Sequence, residues 1–464
     1  MKTVRIVLLL LLIIIVAGFW ILFRFTPGGL ELNNITETPL ETATIIVPEE
    51  TTAIPSTPRS PIEPTRIPLV LPEKDEASAR LKVPAGFAIR IFADELNGTP
   101  RFLTVSPDGD LFVSLYKSGE IARLPDRNKD GLADGIEIII NGLNKPHGLE
   151  FHDGWLYIAE VNKVIRIRDS NNDGVFEEKE VVTENLPGGG GHTSRTLHFG
   201  PDGLLYVSAG SSCNVCTEND PRRAAILRFN ADGSIPRDNP FADDSDIRKR
   251  PVWAWGLRNS VDFLWTSSGQ IWADHNGRDN LVDANGTPDT LPPEEIIIPV
   301  QANKSHGWPY CYTSVTGLNL PAQAEIADNQ SGLLIPSGFD CSLENVVPAL
   351  FTDLAHSTPL GMAMGNSNLA FPVDYQNSLF VAYHGSWNTT EASIRDCKVE
   401  RILLDGEIPV ASESFITGWR ADGQTCGSQN TWGRPVDVIV GADGALYISD
   451  DKGNRIYRVV FVGL

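Results

Sequence analysis

The sequence has little positive charge for its length. Its 464 residues include 38 lysines and arginines against 59 aspartates and glutamates, so the formal net charge is −21. A surface of this charge repels phosphate groups, which argues against nucleic acid or anionic lipid as a partner. An anionic ligand would have to be held by local arginines and a bound cation rather than by the overall field of the protein.

The sequence also has few cysteines, and their arrangement argues against zinc and excludes haem c. A single Cys-x-x-Cys pair, Cys213–Cys216, falls short of the two pairs that make a strong zinc signal, and Thr217 stands where a haem c site needs histidine. An even number of cysteines in an oxidising compartment favours disulfides. The possible pairs are Cys213–Cys216, Cys311–Cys341 and Cys397–Cys426.

Only one long apolar run is present, at residues 6–23 (IVLLLLLIIIVAGFWILF). Its length suffices for a transmembrane helix, and Lys2 and Arg5 before it place the N-terminus in the cytoplasm. A cleaved signal peptide is the alternative, but Arg24 interrupts the chain where a small-residue cleavage site would lie. We therefore predict an uncleaved anchor over residues 1–25 in a single-pass protein of the cell membrane. The C-terminal domain would then be periplasmic or extracellular.

Residues 26–78 contain almost no aromatic residues and are rich in Thr, Pro and Glu. A segment of this composition buries too little apolar surface to offset the entropy lost on ordering, so we predict a disordered linker. The remaining residues, 79–464, form the folded domain in this reading.

A turn followed by an alternating strand recurs six times in the folded domain. The copies are SPDGDLFVSLY (106–116), FHDGWLYIAE (151–160), GPDGLLYVSAG (200–210), TSSGQIWADH (266–275), DYQNSLFVAYH (374–384) and GADGALYISDD (441–451). Six such units predict an all-β fold, a six-bladed β-propeller, with a pair of β-sandwiches as the rival architecture. The strand at 84–94 has no turn partner, so we expect it to join RIYRVVF (455–461) and close the ring.

One segment, Gly188–Cys216, interrupts the repeat with a run of glycines that delivers a histidine, His192. A single insertion into a repeated scaffold is where chemistry is commonly placed, and glycines allow backbone conformations closed to other residues. A neutral imidazole suits removal of a hydroxyl proton near neutral pH. The alternative is a histidine that caps a turn and faces solvent.

A second motif begins at Asp169 and fits the calcium-loop pattern D-x-N-x-D-G-x5-E. Strands rather than helices flank it, so we predict a calcium-bound hairpin between blades. Its ligands would be Asp169, Asn171, Asp173 and Glu180. A similar stretch from 126 to 134 lacks the terminal glutamate. For both stretches the alternative is an Asp/Asn/Gly turn without metal.

Several short motifs occur in the order found in one family of enzymes. They are GHTSRTLHFGPDG (191–203), GSSCNVC (210–216), WGLRN (255–259), NGRDNL (276–281), HGSWN (384–388) and GRPVDV (433–438). With neighbouring motifs they span residues 84–464 and resemble the sorbosone dehydrogenase branch of the PQQ-dependent sugar dehydrogenases. The resemblance implies a propeller that binds pyrroloquinoline quinone (PQQ) and Ca²⁺ on its axial face and oxidises an aldose, sorbosone or a related sugar.

The resemblance also implies roles for individual residues. His192 matches the family's general base, although Gly191 stands where the glucose dehydrogenases have an acid, so the group that orients His192 is not identified. Arg258 and Asn259 match residues that hold PQQ, with Arg258 near the quinone oxygen that gains charge. The further cofactor residues implied are Arg195, Arg434, His384 and Trp387, and the calcium site implied uses backbone carbonyls at Gly277 and Arg278.

Two other functions stay open on the residues alone. Six-bladed propellers also serve as sugar-lactone hydrolases, although arginines suit a polyanionic cofactor better than a neutral lactone. A non-catalytic propeller that binds carbohydrate or protein is the second alternative. The partners expected of a dehydrogenase are a small sugar, an unidentified electron acceptor and the membrane through the N-terminal helix.

Overall fold

The computed structural model describes residues 70–314, 317–318, 324–326, 333, 335–390, 393–427 and 431–463. Within these residues helix is limited to two short segments, α1 (Glu76–Arg80) and α2 (Val373–Gln376), and neither is long and apolar enough to span a membrane. The expected anchor at 1–25 and the linker as far as residue 69 lie outside the described residues.

Within the described residues the strands form six antiparallel sheets of four or five strands, which we call blades 1 to 6 in chain order, and one separate two-stranded sheet. Strand β1 (Phe87–Ala93) belongs to blade 6. Blade 1 contains β2 (Pro100–Val105), β3 (Leu111–Leu115), β4 (Glu120–Leu124) and β5 (Glu137–Ile140). Blade 2 contains β6 (Leu149–His152), β7 (Trp155–Ala159), β8 (Val164–Arg168) and β9 (Glu178–Thr183). Blade 3 contains β10 (Leu197–Phe199), β11 (Leu205–Ala209), β12 (Ala225–Phe229) and β13 (Val252–Trp255).

Blade 4 carries an insertion. It begins with β14 (Phe263–Trp265), β15 (Ile271–His275) and β16 (Glu294–Val300). The insertion adds β17 (Cys311–Thr313), β18 (Gly317–Leu318) and β19 (Ala324–Ile326) before the blade resumes with β20 (Phe351–Asp353); β18 extends the blade and β19 pairs with β17. Blade 5 contains β21 (Pro359–Met364), β22 (Ser378–Tyr383), β23 (Lys398–Asp405) and β24 (Ile408–Ile416). Blade 6 contains β25 (Pro435–Val440), β26 (Leu446–Asp450), β27 (Arg455–Phe461) and β1.

The ring closes through strands from the two ends of the domain. Strand β1 pairs antiparallel with β27, and Phe87 lies opposite Phe461. The predicted pairing of 84–94 with 455–461 is therefore confirmed, and with it the six-bladed all-β propeller. Closure in a ring leaves only short strands at the outer edges of the blades.

The recurring turns connect the first strand of a blade to the second. In blade 3 the N–H of Gly203 donates to the carbonyl of Gly200 over 2.9 Å, and Gly203 has a φ of +72°. In blade 6 Gly444 donates to Gly441 over 3.0 Å with a φ of +80°. A left-handed φ favours glycine, which explains why Asp-Gly recurs at these points of the sequence.

The core lies between neighbouring blades. Every residue of the second strands β3, β7, β11, β15, β22 and β26 is buried. Large side chains such as Trp272 and Phe380 fill the space where one blade packs on the next. Burial of apolar surface stabilises this arrangement, and the fixed blades in turn fix the loops at the end of the propeller.

An ion triad joins three blades near their inner strands. His198 on β10 contacts Glu150 on β6 through Nδ1 (2.9 Å) and Asp262 just before β14 through Nε2 (3.0 Å). Although burial opposes a charge on the ring, the two carboxylates raise the pKa of His198 to about 10. Both ring nitrogens therefore donate at neutral pH. We call these three residues the axial triad.

Residues 70–78, which the sequence assigns to the linker, pack against blade 6. Asp75 caps α1 by accepting the N–H of Ser78 (2.8 Å), and its second oxygen accepts the N–H of Ile91 on the edge strand β1 (2.6 Å). Nη1 of Arg458 donates to the carbonyl of Val70 over 2.9 Å. The ordered domain thus begins before the expected boundary at residue 79, because this segment satisfies polar groups at the edge of the sheet.

The cysteines form the three disulfides that the sequence allows. Cys213 bonds Cys216 within one loop, Cys311 bonds Cys341 across the insertion of blade 4, and Cys397 bonds Cys426. The described residues contain no free cysteine. The prediction of disulfides is therefore confirmed, and the structure adopts the three pairs named above as possible.

Candidate active site

The candidate residues lie on loops at one end of the propeller. Loops that precede a first strand, link a second strand to a third, or follow a fourth strand all emerge at the same end, because neighbouring strands run antiparallel. His192 precedes β10, Ser211 follows β11, and Arg258 follows β13. Three segments of blade 3 thereby meet.

The glycine loop, residues 188–191 before His192, is held by two buried arginines. Arg195, which is 0% exposed, donates to the carbonyls of Pro187 (2.7 Å) and His192 (3.0 Å). Arg223 donates to the carbonyls of Gly188 (2.5 Å) and Gly189 (3.0 Å). The sequence assigns Arg195 to the cofactor, but its guanidinium faces the loop backbone. Its observed hydrogen bonds hold the main chain of the loop.

His192 is oriented by Ser211. Its Nδ1 lies 2.9 Å from Oγ of Ser211 and 3.1 Å from the carbonyl oxygen of the same residue. The Ser211 hydroxyl donates its hydrogen to the carbonyl of Cys213 over 2.6 Å, so both groups at Nδ1 act as acceptors. We therefore assign the proton of the neutral imidazole to Nδ1, which leaves a lone pair on Nε2.

The protonation state of His192 follows from its surroundings. Burial, and then the charge of Arg258, lower the pKa of His192 to about 4. The imidazole is therefore neutral at neutral pH and able to accept a proton through Nε2. The sequence left the orienting group unidentified. The signal that points to Ser211 is its place directly after β11, at the same end of the blade as His192.

Arg258 is fixed by four hydrogen bonds from its side chain. Nε donates to the carbonyl of Asn214 (3.1 Å), Nη1 to the carbonyl of Asn276 (3.2 Å), and Nη2 to Oδ1 of Asn214 (3.0 Å). Nη2 also pairs with Oδ2 of Asp279 over 2.9 Å. Arg258 is 5% exposed, so its guanidinium is held in one orientation close to His192. The sequence predicted Arg258 but missed Asn214 and Asp279.

Asn259 lies beside His192 because a glycine separates them. A Cβ built at Gly210 would lie 2.6 Å from Cβ of His192 and 2.7 Å from Oδ1 of Asn259. Both distances are too short for a side chain, so only glycine fits at position 210. The structure thus brings together Asn259 and His192, both of which the sequence predicted as site residues.

A second group of charged residues extends the site toward blades 6 and 1. Nε of Arg434 donates to the carbonyl of His384 (2.7 Å), and Nε2 of His384 lies 2.9 Å from Oδ1 of Asp451. The other oxygen of Asp451 pairs with Nη1 of Arg101 over 2.8 Å. Burial lowers the pKa of His384 to about 4, so a neutral ring donates to Asp451. His384 and Arg434 were predicted, whereas Arg101 and Asp451 were not.

This second group connects back to the glycine loop. The guanidinium of Arg101 lies 5.9 Å from the centre of the Tyr116 ring, and the hydroxyl of Tyr116 lies 2.8 Å from Oγ1 of Thr193. Thr193 follows His192 in sequence. The structure therefore places His192, Arg258 and Arg434 around a common region of this face.

Trp387 lies at the rim of the site and is 77% exposed. The next residue, Asn388, donates from Nδ2 to Oδ1 of Asp279 over 2.8 Å. This contact ties the rim to the Arg258–Asp279 pair. Because its indole ring is exposed, Trp387 is available to a ligand on this face.

Gly277 and Arg278 follow β15 in the turn that carries Asn276 and Asp279. The N–H of Gly277 donates to Oε2 of Glu294 over 2.8 Å, and burial raises the pKa of Glu294 to about 7. A cation at this turn would favour the ionised form of Glu294.

The predicted calcium loop lies elsewhere, in the outer hairpin between β8 and β9. The carboxylate of Asp169 accepts the N–H groups of Asp173 (3.2 Å) and Gly174 (2.7 Å), and Oδ1 of Asn171 accepts that of Asp173 (2.9 Å). Glu180 instead pairs with Arg166 over 2.6 Å. Because β8 and β9 share one sheet, the expectation of a hairpin between blades is wrong.

Only one group of three metal-binding side chains converges within the described part of the chain. It consists of Cys213, Cys216 and Glu218, but both sulfurs are tied in a disulfide and offer no thiolate. Calcium binding by the Asp169 loop therefore stays a prediction.

Comparison with known proteins identifies relatives of the whole propeller. The chain matches the family described as TrAA12-like over residues 81–461. It is 27% identical over 403 residues to an uncharacterized protein of Borreliella burgdorferi, covering 83% of this chain and 92% of that one. It is 25% identical over 409 residues to the aldose sugar dehydrogenase YliI of Escherichia coli, covering 82% and 95%.

A solved structure shares the fold. The holo form of the PQQ domain of pyranose dehydrogenase from Coprinopsis cinerea aligns with a TM-score of 0.65 at 21% sequence identity, covering 82% of this chain and 97% of that one.

Proposed function

Because the chain belongs to the TrAA12-like family of PQQ-dependent sugar dehydrogenases, we propose that it oxidises an aldose, sorbosone or a related sugar with PQQ as its cofactor. The observation that carries this proposal is the state of His192, a neutral imidazole with its proton on Nδ1 and with the charge of the fixed Arg258 acting on it. A base beside a cation suits removal of a proton while negative charge develops nearby.

The charged groups of the site fit PQQ, which carries three carboxylates. Arg101, Arg434 and Arg258 surround this face of a protein whose net charge is −21. The Nε of Arg101 is buried without a hydrogen-bond partner among the described residues. An anionic ligand would supply that partner.

The chain's own residues account for the proton in the reaction. Oxidation of a hemiacetal carbon to a lactone removes the carbon-bound hydrogen with two electrons, as a hydride, and the hydroxyl hydrogen as a proton; PQQ, when bound, would accept the hydride equivalent. His192 accepts the hydroxyl proton at Nε2, and its Nδ1–H then donates to Ser211 from a charged ring. An anion near Arg258 offsets the charge that lowers the pKa of His192 and so strengthens the base.

Ca²⁺ belongs to the same proposal. The turn at Gly277 and Arg278 would hold it through backbone carbonyls, with Glu294 beside it as a buried carboxylate. Oxygen ligands of this kind suit calcium. Its contribution would be to neutralise carboxylates of the protein and the cofactor.

We further propose that residues 1–25 anchor the chain in the membrane with the propeller on the periplasmic or extracellular side. The apolar run at 6–23 supports the anchor. The three disulfides support an oxidising compartment. Protease added to cells that have been stripped of any outer membrane but keep an intact cytoplasmic membrane should cleave the propeller, and cleavage only after rupture of the cytoplasmic membrane would contradict this placement.

The test of the enzyme is titration of the purified chain with PQQ in the presence of calcium. We expect a shift in the PQQ absorbance, followed by reduction of a dye with at least one sugar from a panel of aldoses, sorbosone and polyols. His192→Ala should still bind PQQ but turn over about two to four orders of magnitude more slowly. If the spectrum remains that of free PQQ at every PQQ concentration, the proposal fails and a non-catalytic propeller is favoured.

A further inference from the structure

The loop closed by the Cys213–Cys216 disulfide, here called the disulfide loop, contacts the group that orients His192. The hydroxyl of Ser211 accepts from Nδ1 of His192 and donates to the carbonyl of Cys213 over 2.6 Å. The carbonyl of Cys213 therefore sets the direction of the hydroxyl hydrogen. That direction turns a lone pair of the hydroxyl oxygen toward Nδ1 of His192, so the hydroxyl joins the carbonyl of Ser211 in holding the proton of the ring on Nδ1.

The same loop holds Arg258 through Asn214. Oδ1 of Asn214 accepts from Nη2 of Arg258 (3.0 Å) and from the N–H of Asp279 (2.8 Å), and its Nδ2 donates to the carbonyl of Asp279 (3.0 Å). The main-chain carbonyl of Asn214 accepts from Nε of Arg258 and from Nε1 of Trp308, both over 3.1 Å. Asn214 thus accepts two of the four hydrogen bonds that the Arg258 side chain donates.

The disulfide that closes this loop is the one in which neither cysteine is buried. Cys213 and Cys216 are both half-buried, whereas Cys397 and Cys426 are 0% exposed, and Cys311, which is 4% exposed, is bonded to a half-buried Cys341. A thiolate must reach a sulfur atom to open a disulfide. A soluble dithiol should therefore open Cys213–Cys216 first.

We propose that the disulfide loop is a redox-sensitive positioning element of the active site, in which Asn214 positions Arg258. A dithiol reductant is oxidised to its own cyclic disulfide while the Cys213–Cys216 bond breaks, and the two sulfurs each gain a hydrogen to become thiols. The opened loop no longer holds Asn214 and the carbonyl of Cys213 in place, so Arg258 and His192 lose their shared alignment. This inference rests on the proposed sugar dehydrogenase function.

The first experiment opens the loop in the PQQ-loaded protein. The enzyme is treated with dithiothreitol, desalted and assayed, and alkylation with peptide mapping identifies the cysteines that became thiols. Turnover should fall by about 10- to 100-fold, the cost of a small misplacement of catalytic groups, and should recover on reoxidation. The double variant Cys213→Ser/Cys216→Ser should match the reduced enzyme and no longer respond to dithiothreitol.

The second experiment leaves the disulfide intact. Asn214→Ala should weaken PQQ binding and lower turnover at saturating PQQ by about 10- to 100-fold. The acid limb of its pH–rate profile should move to higher pH, because a displaced Arg258 lowers the pKa of His192 less than a fixed one. Asn239→Ala is the matched control: Asn239 is 5% exposed in the same blade and donates to the carbonyls of Arg228 and Arg250 over 3.0 Å. It should lower the melting temperature without changing turnover per PQQ-loaded molecule.

The outcomes separate this inference from the proposed function. If wild type is active and Asn214→Ala has normal PQQ affinity and turnover, the inference is overturned and the function stands. Full activity after mapped opening of Cys213–Cys216 overturns it as well, and so does a map in which another disulfide opens first. A wild type that neither binds PQQ nor oxidises sugar refutes the proposed function and the inference with it.

Discussion

Replacement of Ser211 by alanine tests the proposed base through the group that orients it. Nδ1–H of His192 has two acceptors, Oγ of Ser211 at 2.9 Å and the carbonyl oxygen of the same residue at 3.1 Å. Ser211→Ala removes the first and keeps the second, because the main chain is unchanged. The tautomer should therefore survive, and Nε2 should keep its lone pair.

The expected loss follows from the change in charge of the ring. A hydrogen bond between neutral groups contributes about 0.5–1.5 kcal/mol, and one to a charged group about 1.5–3 kcal/mol. The difference, about 1–2 kcal/mol, acts only once His192 has taken the sugar proton. Turnover at saturating PQQ should fall by about 5- to 30-fold, with PQQ affinity unchanged. The same difference should lower the pKa of His192, already about 4, by about one unit.

The assay is dye reduction with a fixed sugar from about pH 2 to pH 9, a range that extends below the His192 pKa of about 4. Rates are normalised to PQQ-loaded protein so that a loss of stability does not count as a loss of rate. The acid limb of the profile should move to lower pH. His192→Ala serves as the reference for complete loss of the base. A Ser211→Ala enzyme with the full rate and an unmoved acid limb would refute the assignment of Ser211, and one as slow as His192→Ala would show that the remaining carbonyl does not hold the tautomer.

The remaining predictions test the cofactor arginine, the calcium loop and the axial triad. Arg258→Lys keeps the charge but loses the planar fork, so PQQ titration should show weaker binding and saturated turnover should fall by about 10- to 100-fold; unchanged values would remove Arg258 from the site. Asp169→Ala should lower the melting temperature measured in calcium, because bound calcium stabilises the folded state. If the wild type has the same melting temperature in calcium and in chelator, the loop does not bind calcium. The axial triad stabilises the fold fully below the pKa of an unfolded histidine, about 6.5. That contribution is lost as the pH rises through the folded pKa of His198, about 10, so the melting temperature should fall there less steeply in His198→Asn than in wild type.

Local sequence signals were sufficient for the fold. A glycine at a left-handed φ is required at the tight turn after each of several first strands, so the Asp-Gly pattern at Gly203 and Gly444 recurs with the blades. The strand at 84–94 lacked a turn partner, which left pairing with β27 as the way to satisfy its edge. The beginning of the ordered domain was harder to predict, because Asp75 and Val70 are held by contacts with β1 and β27 rather than by their own composition.

Of the candidate site, the sequence predicted the residues whose side-chain type itself suits the proposed chemistry, and it missed those that support them. His192 and Arg258 stand in short motifs, and their loops emerge at the same end of blade 3. Their supporting residues depend on contacts between distant segments: Arg101 and Asp451 are 350 positions apart in the chain.

Arg195 shows that a residue in a recognisable motif can also be assigned the wrong contacts. A guanidinium that faces buried carbonyls and one that faces a ligand have the same sequence context, because the choice is made by the backbone packed around it. The glycine loop has its carbonyls turned inward and must satisfy them with a buried donor. Arg195, three positions after the proposed base, is therefore engaged by the loop backbone, and in the proposed function the binding of an anionic cofactor would fall to arginines from blades 1, 3 and 6.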